Sequence, residues 1–135
     1  ENMSQPYALF HRERFPLIVI EFTGTKETSI NFNKYLKGLE ENYANKKELA
    51  LVFDARKSLS INPIYQAKQA TWMQTNKDLI KQYCKGIAYI IPNPILRKVL
   101  QLIFKITPNP VPFRVFEGME QGADWARQQI SELQA

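Results

Sequence analysis

Glu21 and Asp54 each close a run of apolar residues, Leu17-Ile18-Val19-Ile20 and Leu49-Ala50-Leu51-Val52-Phe53. If both runs are parallel strands, the two carboxylates stand at the C-terminal edge of the sheet, where open α/β sheets bind ligands. On neighbouring strands they approach one another, one pKa rises, and the pair acquires the minimum needed by a small hydrolase or isomerase. The opposing expectation is that Asp54 bonds loop amides and Glu21 pairs with a lysine, because no third catalytic group accompanies them. His11 and Cys84 are the sole residues of their types, which excludes metal centres clustered from histidine and cysteine. A Cys–His nucleophile pair would have to join an edge strand to a helix end. Cys84 reads instead as a small buried hydrophobe. Gly24, Gly38, Gly86, Gly118 and Gly122 match no phosphate-cradling spacing. No catalytic residue, metal or cofactor is expected.

A second chemistry lies in Pro94–Ile106. Pro94 suits the first helical position, and Pro108-Asn109-Pro110-Val111-Pro112 forbids continuation beyond Thr107. At about 100° per residue, Arg97, Lys98, Gln101 and Lys105 share one narrow sector. Ile95, Leu96, Val99, Leu100, Leu102, Ile103, Phe104 and Ile106 cover most of the remainder. A helix burying one stripe needs about 100° of apolar surface, and this one offers roughly twice that. The surplus predicts a further cover: a bound apolar molecule, a second subunit or a lipid surface.

The elements that must position these groups follow from hydrophobic patterning. Tyr7–Glu13 alternates weakly and reads as an edge strand. Leu17–Phe22, Leu49–Asp54 and Ile87–Ile91 are nearly continuous apolar runs, the mark of strands buried on both faces. Phe113–Phe116 is a short final strand. Ser29 is the expected cap of a helix reaching about Tyr43, with Phe32, Tyr35, Leu36 and Leu39 inward. Asn62-Pro63 opens a helix running towards Cys84, with Asn76 as a point of bending or breakage and Gly86 as the exit. Met119, Ala123, Ala126, Ile130 and Leu133 form the stripe of a last helix. The order ββαβαβαβα predicts one α/β domain over residues 1–135, with a mixed, mainly parallel five-stranded sheet and four helices.

Composition narrows the partners. The 135 residues carry a net charge of +5, unevenly spread. Residues 55–114 hold ten Lys/Arg and one acid, whereas residues 1–54 come to −1 and residues 115–135 to −3. Two readings stand: solvated helix faces, or a surface meeting an anionic partner. Because the excess shares its segment with the over-apolar helix, membrane headgroups rank above nucleic acid, for which no binding motif is present. No apolar run approaches the ~20 residues of a membrane span. With one cysteine and no visible secretory signal, the expected setting is the cytoplasm, with peripheral membrane attachment.

Cys84-Lys85-Gly86-Ile87-Ala88-Tyr89-Ile90-Ile91-Pro92, the apolar helix after it, Val111-Pro112-Phe113-Arg114-Val115-Phe116 and Gly122-Ala123-Asp124-Trp125 together resemble the STAS domain. Within it the chain resembles the SpoIIAA-like family, also described as STAS/SEC14-like, over roughly residues 15–130. STAS antagonists carry a phosphorylatable serine in an Asp-Ser-Ser-Gly-like turn. Here Ser58-Leu59-Ser60-Ile61-Asn62-Pro63-Ile64-Tyr65 stands in that place, with Asn62-Pro63-Ile64 at the acceptor, so no phosphoswitch is expected. The resemblance implies a non-enzymatic domain with a movable helical flap over an apolar pocket.

The expected function is therefore binding of an apolar or amphiphilic small molecule between the helices of residues 94–107 and 63–83. Ile95, Val99, Leu102, Ile103 and Phe104 would line the pocket with Trp72 and Met73. Arg97, Lys98 and Lys105 would meet phosphates of an anionic membrane. The alternative is a protein-interaction module using the same patch as a homodimer or partner interface.

Overall fold

A computed structural model describes residues 5–58 and 60–134, with side chains as far as residue 130. Leu59 and the Leu133 side chain lie outside the described set. The elements are β1 (Ala8–His11), β2 (Leu17–Phe22), α1 (Ser29–Glu41), β3 (Leu49–Asp54), α2 (Pro63–Thr75), α3 (Lys77–Tyr83), β4 (Cys84–Ile90), α4 (Pro94–Ile106), β5 (Phe113–Phe116) and α5 (Met119–Gln134). The strands lie side by side in chain order, β1 antiparallel to β2 and all later pairs parallel. The fold is thus the mixed α/β sheet expected from the apolar runs, with five helices rather than four.

The extra helix comes from Asn76. Its side-chain amide and its backbone N–H both donate to the Trp72 carbonyl, at 2.9 and 3.0 Å. A short polar side chain that competes for backbone partners in this way ends a helix. The chain restarts as α3, which buries Ile80, whereas α2 buries no residue. Two other boundaries move. Thr28, not Ser29, caps α1, exchanging hydrogen bonds with Asn31 in a capping box. β4 begins at Cys84, so Gly86 lies inside a strand instead of marking the helix exit.

A strand order that never reverses, joined by crossovers of one hand, sends every connecting helix to the same face. Phe32, Tyr35 and Leu39 of α1, Ile80 of α3, and Leu96 and Leu100 of α4 accordingly share one core with Ile18, Ile20, Leu51, Phe53, Ile87 and Tyr89. The opposite face belongs to α5, whose Ala123, Ala126 and Ile130 pack on Leu17, Ala50, Val52, Ala88 and Ile90. Small residues let α5 come close. A Cβ on Gly122 would collide with Ile90 Cδ1, and one on Gly86 would lie 2.8 Å from Gln129 Cγ.

Gly122→Ala is expected to lower stability by about 1–3 kcal/mol through overpacking against the fully buried Ile90. Urea unfolding checks this; an unchanged midpoint would refute the close approach as a packing constraint.

Candidate functional site

Three strands in succession carry an aromatic residue at or next to their C-terminal end that faces α1–α4. Phe22, Phe53 and Tyr89 stand in a row with ring centroids 5.9 and 5.4 Å apart and planes within 10° and 11° of parallel. Rings of this size hold the covering helices away from the backbone of the sheet. α2 reaches over the row with Tyr65, Gln69 and Met73, and α4 with Leu96, Leu100 and Phe104. Between them remains a cavity of about 110 Å³. Tyr7 and Phe32 close its α1 side, and Ser58, Ser60, Asn62 and Glu27 supply polar atoms around it.

The polar groups of the walls are ordered. Tyr35 Oη donates to Gln69 Oε1 at 2.9 Å, and Asn109 Nδ2 donates to Tyr89 Oη at 2.9 Å. Burial, reinforced by the nearby Glu27 carboxylate, pushes the Tyr7 hydroxyl up to about 12. Tyr7 is therefore a neutral phenol at ordinary pH.

Of the residues that the sequence assigned to this pocket, Met73 and Phe104 line it. Trp72 turns instead to a neighbouring void of about 10 Å³ beside Leu39, Tyr43 and Ile80. Ile95 and Leu102 face outward, 72% and 60% exposed, and Val99 and Ile103 are half-buried flanks. Leu96 and Leu100 form the wall in their stead. α4 is capped at its start, where Asn93 Oδ1 accepts from the amides of Ile95 and Leu96 at 2.9 and 3.3 Å. Sequence reasoning missed Leu96, Leu100, the aromatic row and Glu27. An aromatic residue recurring at or next to the ends of successive strands was the signal for the row; a lone loop glutamate carries none.

Arg97 is not free to meet a phosphate. Its Nη1 donates to the carbonyls of Ile91 and Pro92 at 3.0 and 2.8 Å, and its Nη2 lies 3.6 Å from Glu117 Oε2. The prolines flanking this corner cannot donate to those carbonyls, and the arginine one turn into α4 reaches back to do so. Lys98 and Lys105 remain exposed, beside a shallow groove floored by Leu102, Phe104 and Phe113. No helix among the described residues is long and apolar enough to cross a membrane.

Glu21 and Asp54 are register partners on β2 and β3. They alternate with Phe22 and Phe53 and so point away from the cavity. Glu21 accepts from His11 Nε2 at 2.9 Å and Lys57 Nζ at 3.0 Å, and these hydrogen bonds lower its pKa. Burial alone would raise Asp54, but Arg56 outweighs it: its amide donates at 3.1 Å and its guanidinium at 2.9 and 2.8 Å, holding the carboxyl below its usual range. Neither pKa rises, because each carboxylate has its own cation. Cys84 is buried, and burial pushes its thiol up to about 12, far from a nucleophile at neutral pH. No group of three or more His, Cys, Asp and Glu among the described residues is arranged to hold a metal.

The architecture defines a class: a parallel sheet in strict chain order, an antiparallel edge strand and helices crowded on one face. One solved structure similar to this chain is an uncharacterised protein of the DUF3478 family with a SpoIIAA-like fold from Shewanella loihica PV-4. The two superpose with a TM-score of 0.64 over 88% of this chain and 91% of the other, at 16% identity. The chain has a SpoIIAA-like fold. Its sequence matches no protein-family model and no curated protein.

Asp54→Asn is expected to destabilise the domain by ~1 kcal/mol at neutral pH, the low end for a charge-assisted pair whose arginine is half exposed. A carboxyl that titrates lower folded than unfolded contributes fully above its unfolded pKa of about 3.9 and loses that contribution as pH falls through the folded value. The stability gap between the two proteins therefore narrows on acidification, measured by thermal unfolding from pH 7 to pH 3. A gap that widened towards acid would contradict the ion pair.

Proposed function

We propose that this chain is a non-enzymatic binding domain that holds an apolar or amphiphilic small molecule between α2 and α4 and meets anionic membrane with the outer face of α4. The cavity carries the reading. Its volume of about 110 Å³ is of the order of the engineered apolar cavity of about 150 Å³ that stays dry and takes benzene. Apolar walls with polar groups around them suit a molecule that leaves its polar end towards the solvent. α2 supports entry, because it covers the space without burying a residue of its own.

The membrane half rests on what α4 leaves outside. Ile95, Leu102 and Ile106 are 72%, 60% and 83% exposed, and Lys98 and Lys105 flank them. Each such apolar side chain contributes up to about 1.5–3 kcal/mol when covered, and each lysine about 1 kcal/mol near an anionic surface. The same ridge also favours a second reading. Ile95, Val99, Leu102 and Ile106 follow the 4-3-4 spacing of a helix-pairing seam, so a second copy or another protein is the alternative cover.

Titration with toluene is expected to give saturable NMR shifts at Met73, Leu96 and Leu100 that Met73→Trp abolishes by filling the space; no saturable shift would overturn the cavity as a binding site. For the membrane half, Lys98→Glu with Lys105→Glu is expected to cut sedimentation with anionic vesicles by about tenfold or more at low salt while the fold is retained. Equal sedimentation with neutral and anionic vesicles would refute it, and a stable dimer in sedimentation velocity without lipid would favour the protein interface. Phe104→Asp, by contrast, is expected to damage the fold, since that ring packs 5.3 Å from Tyr89 and 4.5 Å from Phe113.

A further inference from the structure

We infer that the molecule held in this cavity is a small aromatic amine, its ring seated among the aromatic side chains and its protonated nitrogen drawn to Glu27; the inference rests on the cavity being a binding site. Three observations converge on that class. The first is size, since about 110 Å³ is the space of a single ring.

The second is the wall. Tyr7, Phe22, Phe32, Phe53, Tyr65 and Tyr89 all contribute to it. Such rings favour another aromatic edge or face, and their faces attract organic cations. Lys68 Nζ already lies 5.2 Å from the Tyr65 ring centroid, while the other five rings face no cation among the described residues.

The third is charge. The protein is basic overall, yet among the described residues the lining contains no lysine, arginine or histidine, and Glu27 is its one ionic residue. Glu27 forms no ion pair among the described residues. It stands in the lining close enough to Tyr7 to help burial raise that hydroxyl's pKa. The start of α2 is largely occupied by its own cap. Pro63 has no N–H, Ile64 N–H donates to Asn62 Oδ1 at 2.9 Å, and Gln66 N–H donates to the Asn62 carbonyl at 2.9 Å. A carboxylate or phosphate entering this space would face Glu27 with no cation in the described lining; an ammonium would meet its complement.

Phenethylamine, 2-phenylethanol and 3-phenylpropionate share one ring and a similar reach while differing in charge. In NMR titrations of the intact chain, read at Met73 and Leu100, the amine is expected to bind about tenfold more tightly than the alcohol, with the acid weakest. Glu27→Gln is expected to bring the amine to within about threefold of the alcohol measured on the same variant; Glu27→Asp is expected to keep part of the advantage. An acid that binds as tightly as the amine, or an advantage that survives Glu27→Gln, would overturn the amine assignment while the apolar pocket stands. Absence of saturable shifts with all three compounds would overturn the pocket itself, and the amine with it.

Discussion

Strands laid side by side in chain order, with crossovers of one hand, oblige every connecting helix to cover the same face of the sheet. Four helices therefore share one side while α5 alone serves the other. The two sides solve the packing differently. Alanines and glycines bring α5 down onto β3 and β4, whereas large rings on the crowded side keep the helices at a distance. In a doubly wound sheet the ligand crevice opens where the strand order reverses. This sheet offers no such reversal among its parallel strands, and the usable space lies between sheet and helices instead.

α4 serves two environments at once. Leu96, Leu100 and Phe104 face the cavity, and Ile95, Leu102 and Ile106 face outward. One element thus links an interior binding space to an exterior apolar ridge flanked by lysines. The carboxylates that looked most like catalytic groups stand apart from this arrangement, each neutralised by a neighbouring cation on the far side of the sheet.

The sheet was legible because a strand buried on both faces must be apolar at consecutive positions, and Leu49–Phe53 and Ile87–Ile91 leave little choice. Cys84-Lys85-Gly86 hid the first residues of β4, since a lysine and a glycine look like a turn; the glycine is there for the approach of Gln129. The break at Asn76 was visible as a polar interruption, though not its result as two helices. The inward face of α4 was not legible, and the reason is physical. An apolar arc near 200° contains two stripes equally fit for burial, and patterning alone does not choose between them; in the fold Arg97 reaches back to Ile91 and Pro92 while Leu96 and Leu100 turn inward. Glu27 belongs to no pattern at all; only the tertiary structure sets it beside Tyr7.

The interruption at Asn76 has a dynamic corollary. It divides one connector into a part fastened to the sheet through Ile80 and a part with no fully buried residue. Segments so weakly fastened detach in sub-global openings at a small fraction of the global unfolding free energy. Loss of α2 alone would bare the rings of Phe53 and Tyr89 to solvent while α3 and the strands stayed assembled. Asn76 thus separates the stretch that covers the rings from the stretch anchored to the sheet.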